Sequence, residues 1–143
     1  MFGALIRSLD PSRWSVTATD LAVEIGEDIR YPDVMVEAQD QPGGERSSRT
    51  PVLLVEVLSP SSLALDLHVK AAEYLSLPSL EYYIVAAQDE TRVWIWRRSS
   101  GEARAFPAEP AELDTIDAER DLGRLGASLA LAGIYRFLPR QSH

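Results

Sequence analysis

The run Val52-Leu53-Leu54-Val55-Glu56-Val57-Leu58 is apolar at every position except Glu56. A strand sends alternate side chains to opposite faces, so a run apolar at both parities describes a central strand covered on each side. Placing Glu56 in its middle is costly. An ionised carboxylate taken out of water costs several kcal/mol even after relaxation, so it needs a cation, a hydrogen-bond partner or a raised pKa. A structural salt bridge to an arginine would meet that need, and so would a metal ion. We read Glu56 as a metal ligand.

The segments around this strand follow from their punctuation. Trp14 to Val16 and Leu21 to Ile25 read as a strand pair, Gly26 to Ile29 as a turn and Tyr31 to Glu37 as the next strand of an antiparallel meander. Asp40 to Thr50, rich in Gly, Ser, Gln and Arg, reads as a connection. Pro60 stops the central strand, and Ser61 or Ser62 can cap a helix over Leu63 to Ser76 that Pro78 ends. Glu81 to Ala86 and Arg92 to Arg97 are strands, with a turn at Gln88-Asp89-Glu90 between them. Closing helices are expected near Ala118 to Leu125 and Leu129 to Leu138.

Lys70 is the second anomaly, because thirteen of the fourteen basic residues are arginine. Leu63, Leu67, Lys70 and Tyr74 follow helical spacing, which puts Lys70 on or beside the stripe facing the sheet, toward Glu56. A helix pair with Asp66, four residues earlier, is the plainer alternative and is worth only ~0.3–0.5 kcal/mol; an arginine would serve it equally. Asp33 follows Pro32 at the start of an apolar strand, 23 positions before Glu56. Two carboxylates converging at a sheet edge can hold Mg²⁺ or Mn²⁺ through hard oxygen donors, which polarises a phosphate and activates water. A nearby ammonium orients that water or offsets charge in the transition state.

These words resemble a family of the PD-(D/E)xK nuclease superfamily, the bacterial group of restriction-endonuclease-like proteins called Uma-two. Tyr31-Pro32-Asp33-Val34-Met35-Val36 resembles its Pro-Asp strand, Leu54 to Ser61 its acidic strand, and Asp66 to Tyr74 its Asp-x-x-x-Lys-x-x-x-Tyr helix. The likeness runs from about Trp14 to Arg98, with a fainter echo in Leu131 to Tyr135. It implies Asp33 and Glu56 as metal ligands and Lys70 as the catalytic lysine, displaced onto the helix because Leu58 stands where the superfamily usually has it. Asp66 would support Lys70 rather than ligate metal. Family members usually begin with a further helix and strand carrying another acid. Met1 to Leu9 holds no acid, so the chain is expected to start late, leaving an exposed edge that favours a homo-oligomer, most simply a dimer.

Composition narrows the alternatives. With 45% hydrophobic residues, 143 residues can build one core, so residues 1–143 are expected to form a single domain. The absence of cysteine excludes a zinc ribbon and a thiol nucleophile. No apolar run approaches the roughly 20 residues that cross a bilayer, and no signal-peptide pattern is present, so a cytoplasmic protein without a membrane partner is expected. The net charge of −8 implies weak non-specific DNA affinity, since such binding draws on cations displacing counterions from phosphate. Two basic pairs, Arg46/Arg49 and Arg97/Arg98, read as solvated decoration. His68 and His143 have no zinc spacing and are expected to face solvent, Ser59, Ser61 and Ser62 lack a nucleophile elbow, and Trp94 and Trp96 read as packing residues.

The expectation is an α/β fold with a restriction-endonuclease-like core, a mixed β-sheet flanked by helices. Its function would be Mg²⁺- or Mn²⁺-dependent endonuclease cleavage of DNA by Asp33, Glu56 and Lys70. The alternative is a shortened, catalytically idle member that serves as an oligomerising or interaction module.

Overall fold

The structure, a computed structural model, describes residues 6–7, 10, 12–18, 22–25, 27–30, 32–38, 47–48, 50–99 and 105–133; the side chains of 6–7, 17–18, 22, 28–30, 47–48 and 63–66 lie outside that description. In its first half the strands are β1 (Ile6–Arg7), β2 (Trp14–Ala18), β3 (Ala22–Ile25), β4 (Asp28–Arg30), β5 (Val34–Ala38) and β6 (Ser47–Ser48). Then come β7 (Leu53–Leu58), helix α1 (Pro60–Tyr74), β8 (Tyr82–Ala87), β9 (Val93–Arg97), β10 (Ala111–Leu113), β11 (Glu119–Leu122) and β12 (Ala127–Ala130).

The central sheet has the order β10-β9-β8-β7-β5-β2. β7 and β8 are parallel, and the other neighbours are antiparallel, so the sheet is mixed. Parallel neighbours require a crossover, and α1 supplies it. Both parallel strands are sheathed in apolar residues, as the composition of β7 demanded. Leu53, Val55, Tyr82 and Ile84 face one cluster, and Leu54, Leu58, Tyr83 and Val85 face the other. Helix α1 covers the second cluster through Ala71 and Tyr74, while the segment holding β11 and β12 covers the first through Leu122, Leu125 and Leu129.

Helix α1 begins earlier than the spacing suggests. Its cap is Ser59, whose Oγ accepts the N–H of Ser62 at 3.4 Å, and Pro60 opens the first turn. Proline suits that place because its missing N–H would have had no helical partner. The residue that stops the strand therefore also starts the helix.

Three local expectations are corrected. β2 does not pair with β3: it pairs with β5, and β3 joins β4 and β6 in a separate small sheet. Asp28 and Ile29, expected within a turn, belong to the strand Asp28–Arg30. The region expected to be helical at 118–125 is β11 followed by a 3-10 turn, Gly123–Leu125. Leu122, Leu125 and Leu129 have helical spacing, but two glycines interrupt it, and Gly126 sits at φ 65 in the left-handed region. Of the second expected helix, Leu129 and Ala130 belong instead to β12, the chain is helical at 131–133, and residues 134–138 lie outside the described residues. Trp94 and Trp96 are buried as expected. Arg98 stacks 4.4 Å from the Phe106 ring and donates to the carbonyls of Leu77 and Leu80 at 3.0 and 2.8 Å, so it clamps the end of β9 rather than awaiting phosphate.

Among the described residues, chain neighbours aside, no atom lies within 4 Å of a Cβ added at Gly126, so a substitution there meets backbone strain. Gly126→Ala is expected to lower unfolding stability by about 1 kcal/mol, and Gly126→Asn by less, because asparagine tolerates the left-handed region. Urea denaturation of the two variants checks this; equal stability of wild type and Gly126→Ala would contradict it.

Candidate active site

Glu56 lies in β7 opposite Val85 of β8, on the face that α1 covers, and is 5% exposed. Leu54 and Leu58 share that face and are buried against the helix. Full burial of each such leucine contributes on the order of 2 kcal/mol, so the strand is driven inward whether or not its carboxylate welcomes it. Burial pushes the Glu56 carboxyl above its ordinary range, and Asp33 pushes in the same direction; Lys70 and the hydroxyls of Tyr74 and Tyr83 oppose the shift.

Three donors converge on this carboxylate. Tyr74 donates its hydroxyl to Oε1 at 2.9 Å, and Tyr83 donates to Oε2 at 3.2 Å. Lys70 Nζ stands 3.7 Å from Oε2, an ion pair beyond ordinary hydrogen-bond length, with its side chain 32% exposed. Lys70 and Tyr74 are four residues apart on α1, so one helical face delivers both. Tyr83 comes from β8, where it pairs with Leu54, diagonally across from Glu56. Burial and the charge on Glu56 push the Tyr83 phenol far up, which keeps it a donor.

Asp33 immediately precedes β5. Val34 pairs with Val55 in an antiparallel register, and one further step sets Asp33 opposite Glu56 on the same face. Its Oδ2 accepts the N–H of Val57 at 2.7 Å, which anchors the half-buried side chain to the neighbouring strand. Pro32 is buried beside it and has no N–H to continue the ladder. The two carboxylates are therefore brought together by strand register, and the lysine by the crossover helix.

Among the described residues there is no group of three or more His, Cys, Asp or Glu side chains able to hold a metal ion. A pair suffices in one circumstance: Mg²⁺ keeps several of its waters and is commonly bound by one or two carboxylates together with substrate phosphate. An ionised carboxylate has about four lone-pair sites. The two hydroxyls take one site on each Glu56 oxygen and Lys70 stands beyond hydrogen-bond length, so each oxygen keeps room for a further contact, and Asp33 retains Oδ1 beyond its bond to Val57. The donor set fits a hard divalent cation. Asp66, expected to support Lys70, lies on α1 with its side chain outside the described residues.

Sequence reasoning brought Asp33, Glu56 and Lys70 forward and missed the two tyrosines as part of the site. Tyr74 was visible in the helical stripe and at the end of the helix that resembles the family's, but without a role assigned to it. In Tyr82-Tyr83 nothing says which ring turns toward Glu56; the parallel register decides it. His68 is exposed, as expected, and pairs with Glu109 at 3.3 Å.

The Uma2 family, described as "Putative restriction endonuclease", matches residues 2–132. No curated protein matches the chain. Among solved structures, a protein of Anabaena variabilis described as "a putative nuclease belonging to DUF820" shares the fold, with a TM-score of 0.66 and 15% identity over 90% of this chain and 72% of its own.

The pH dependence of stability follows from Glu56. Its folded-state pKa lies above the ordinary 4.5, so between the two values the folded chain holds a proton that the unfolded chain releases. That contribution is fully present below about pH 4.5 and is lost as pH rises through the raised value. Glu56→Gln removes this titration. The variant is expected to match wild type most closely in acid and to become the more stable of the two toward pH 8, as measured by chemical denaturation across that range; a gap independent of pH would contradict this.

Proposed function

The chain belongs to the Uma2 family, and we propose that it is a Mg²⁺- or Mn²⁺-dependent endonuclease that hydrolyses phosphodiester bonds in DNA. The observation that carries the proposal is the meeting of Asp33, Glu56 and Lys70 on one face of the sheet. Asp33 and Glu56 would hold the cation. When bound, such a cation polarises the scissile phosphate and makes water more acidic.

The chain's own groups account for the rest. Glu56 is buried and fixed from two sides, so it offers a ligand of defined orientation. Asp33 is half-buried and tethered through one oxygen, which leaves the other for a cation. The Lys70 ammonium is partly exposed and not bonded to Glu56 at hydrogen-bond length. Its three N–H donors can reach a phosphate oxygen or orient a water, which offsets negative charge as it builds in the transition state. With a net charge of −8, the protein would engage DNA weakly, so recognition of the cleavage site rather than bulk electrostatics would carry binding. The proposal places the enzyme in the cytoplasm; among the described residues, no helix is long and apolar enough to cross a membrane.

One observation favours a second reading. The Glu56 carboxylate already has a hydroxyl on each oxygen and an ammonium nearby, as a purely structural buried acid would. Under that reading the protein is an idle member of the family, acting as a homo-oligomeric interaction module, most simply a dimer.

Plasmid cleavage at low salt with Mg²⁺ or Mn²⁺ separates the two. Asp33→Ala, Glu56→Ala and Lys70→Ala are each expected to lower the rate by roughly 10²-fold or more, the scale on which one lost electrostatic partner of a transition state is felt, and EDTA should abolish cleavage. Wild-type activity no higher than that of the three variants would sink the nuclease reading and leave the module.

A further inference from the structure

We propose that Tyr74 and Tyr83 are positioning residues that set the Glu56 carboxylate for a divalent cation, one hydroxyl on each oxygen. The inference rests on the reading of Glu56 as a cation ligand and adds to it the groups that make the ligand usable.

A glutamate side chain turns about several bonds, and its terminal torsion is broad. Lys70 cannot fix it alone, because it approaches a single oxygen at 3.7 Å with a flexible, partly exposed chain. The tyrosines differ in kind. One comes from the helix and the other from the sheet, so the carboxylate is held between two independent elements. Both rings are fully buried. Their centroids lie 5.1 Å apart, and the Tyr83 ring also stacks on Trp96 at 5.7 Å and 29°, with Trp96 itself 1% exposed. Rings packed in this way cannot swing away without opening the core. The two hydroxyls are thus fixed points, and the plane of the carboxylate follows from them. Satisfying a buried acid would need hydroxyls in reach but no particular plane; a cation ligand needs the plane, because the contact left open on Glu56 must point where Asp33 also points.

The test uses Mn²⁺ alone, followed by the electron paramagnetic resonance signal of the free ion, on wild type and three Tyr→Phe variants whose folding is checked by thermal melts. Tyr82→Phe is the control: the Tyr82 hydroxyl accepts the Arg124 N–H at 3.3 Å, and its ring lies in the cluster on the opposite face of the sheet. Tyr74→Phe and Tyr83→Phe are each expected to bind Mn²⁺ about 10-fold more weakly, the loss that follows removal of groups bonded to metal-ligating side chains. Tyr82→Phe should bind as wild type does. Unchanged or tighter binding in both Tyr74→Phe and Tyr83→Phe would overturn the inference while leaving the cation site intact. Wild type that binds no Mn²⁺ would overturn the cation reading itself, and this proposal with it, so the two failures are distinguishable.

Discussion

A carboxylate in the middle of a central strand has to be held by something, and most of the molecule can be read as the means of holding Glu56. The flanking leucines and valines draw β7 into the interior on both faces. The acid goes with them, because it occupies one position in six of a strand whose other side chains gain from burial. What keeps the arrangement folded is the set of donors on the helix-covered face. Lys70 and Tyr74 arrive on one turn of α1, and Tyr83 arrives on the parallel neighbour. The crossover that makes β7 and β8 parallel also carries two of the three donors to the acid. Connectivity and chemistry are one feature here.

Asp33 shows the same economy from the other side. Pro32 stands just ahead of β5, and the next residue supplies a side-chain acceptor for the Val57 N–H. Continued one residue past Val34 and Val55, the register sets Asp33 across from Glu56. Like charges set across a pair of strands repel each other, and that repulsion contributes to the raised Glu56 pKa. On the proposed reading, a divalent cation would turn that repulsion into a bond at each carboxylate, which is why the pair supports a cation site.

Much of this was legible in the chain. Glu56 stood out because its neighbours are apolar at both parities, and Lys70 because every other basic residue is an arginine. The helix and the strands around it were bounded correctly to within a few residues, because Pro60 and Pro78 punctuate them. What could not be read was pairing. Nothing local says that Trp14–Ala18 prefers Val34–Ala38 to Ala22–Ile25, since each is a short half-apolar strand and the choice is made across the sheet. The Leu122, Leu125 and Leu129 spacing mimics a helix until Gly126 takes a left-handed conformation. The role of Tyr83 is likewise invisible without the β7–β8 register. Residues whose chemistry conflicts with their surroundings announce themselves; residues whose role depends on a distant strand do not.

The central claim is that Asp33 and Glu56 together take a divalent cation. Crystals equilibrated with Mn²⁺ and measured by anomalous diffraction test it most directly. The account predicts one anomalous peak in contact with both carboxylates, with the Tyr74 and Tyr83 hydroxyls still on Glu56. A map with no peak there, and with the two hydroxyls and Lys70 closed around Glu56, would contradict it.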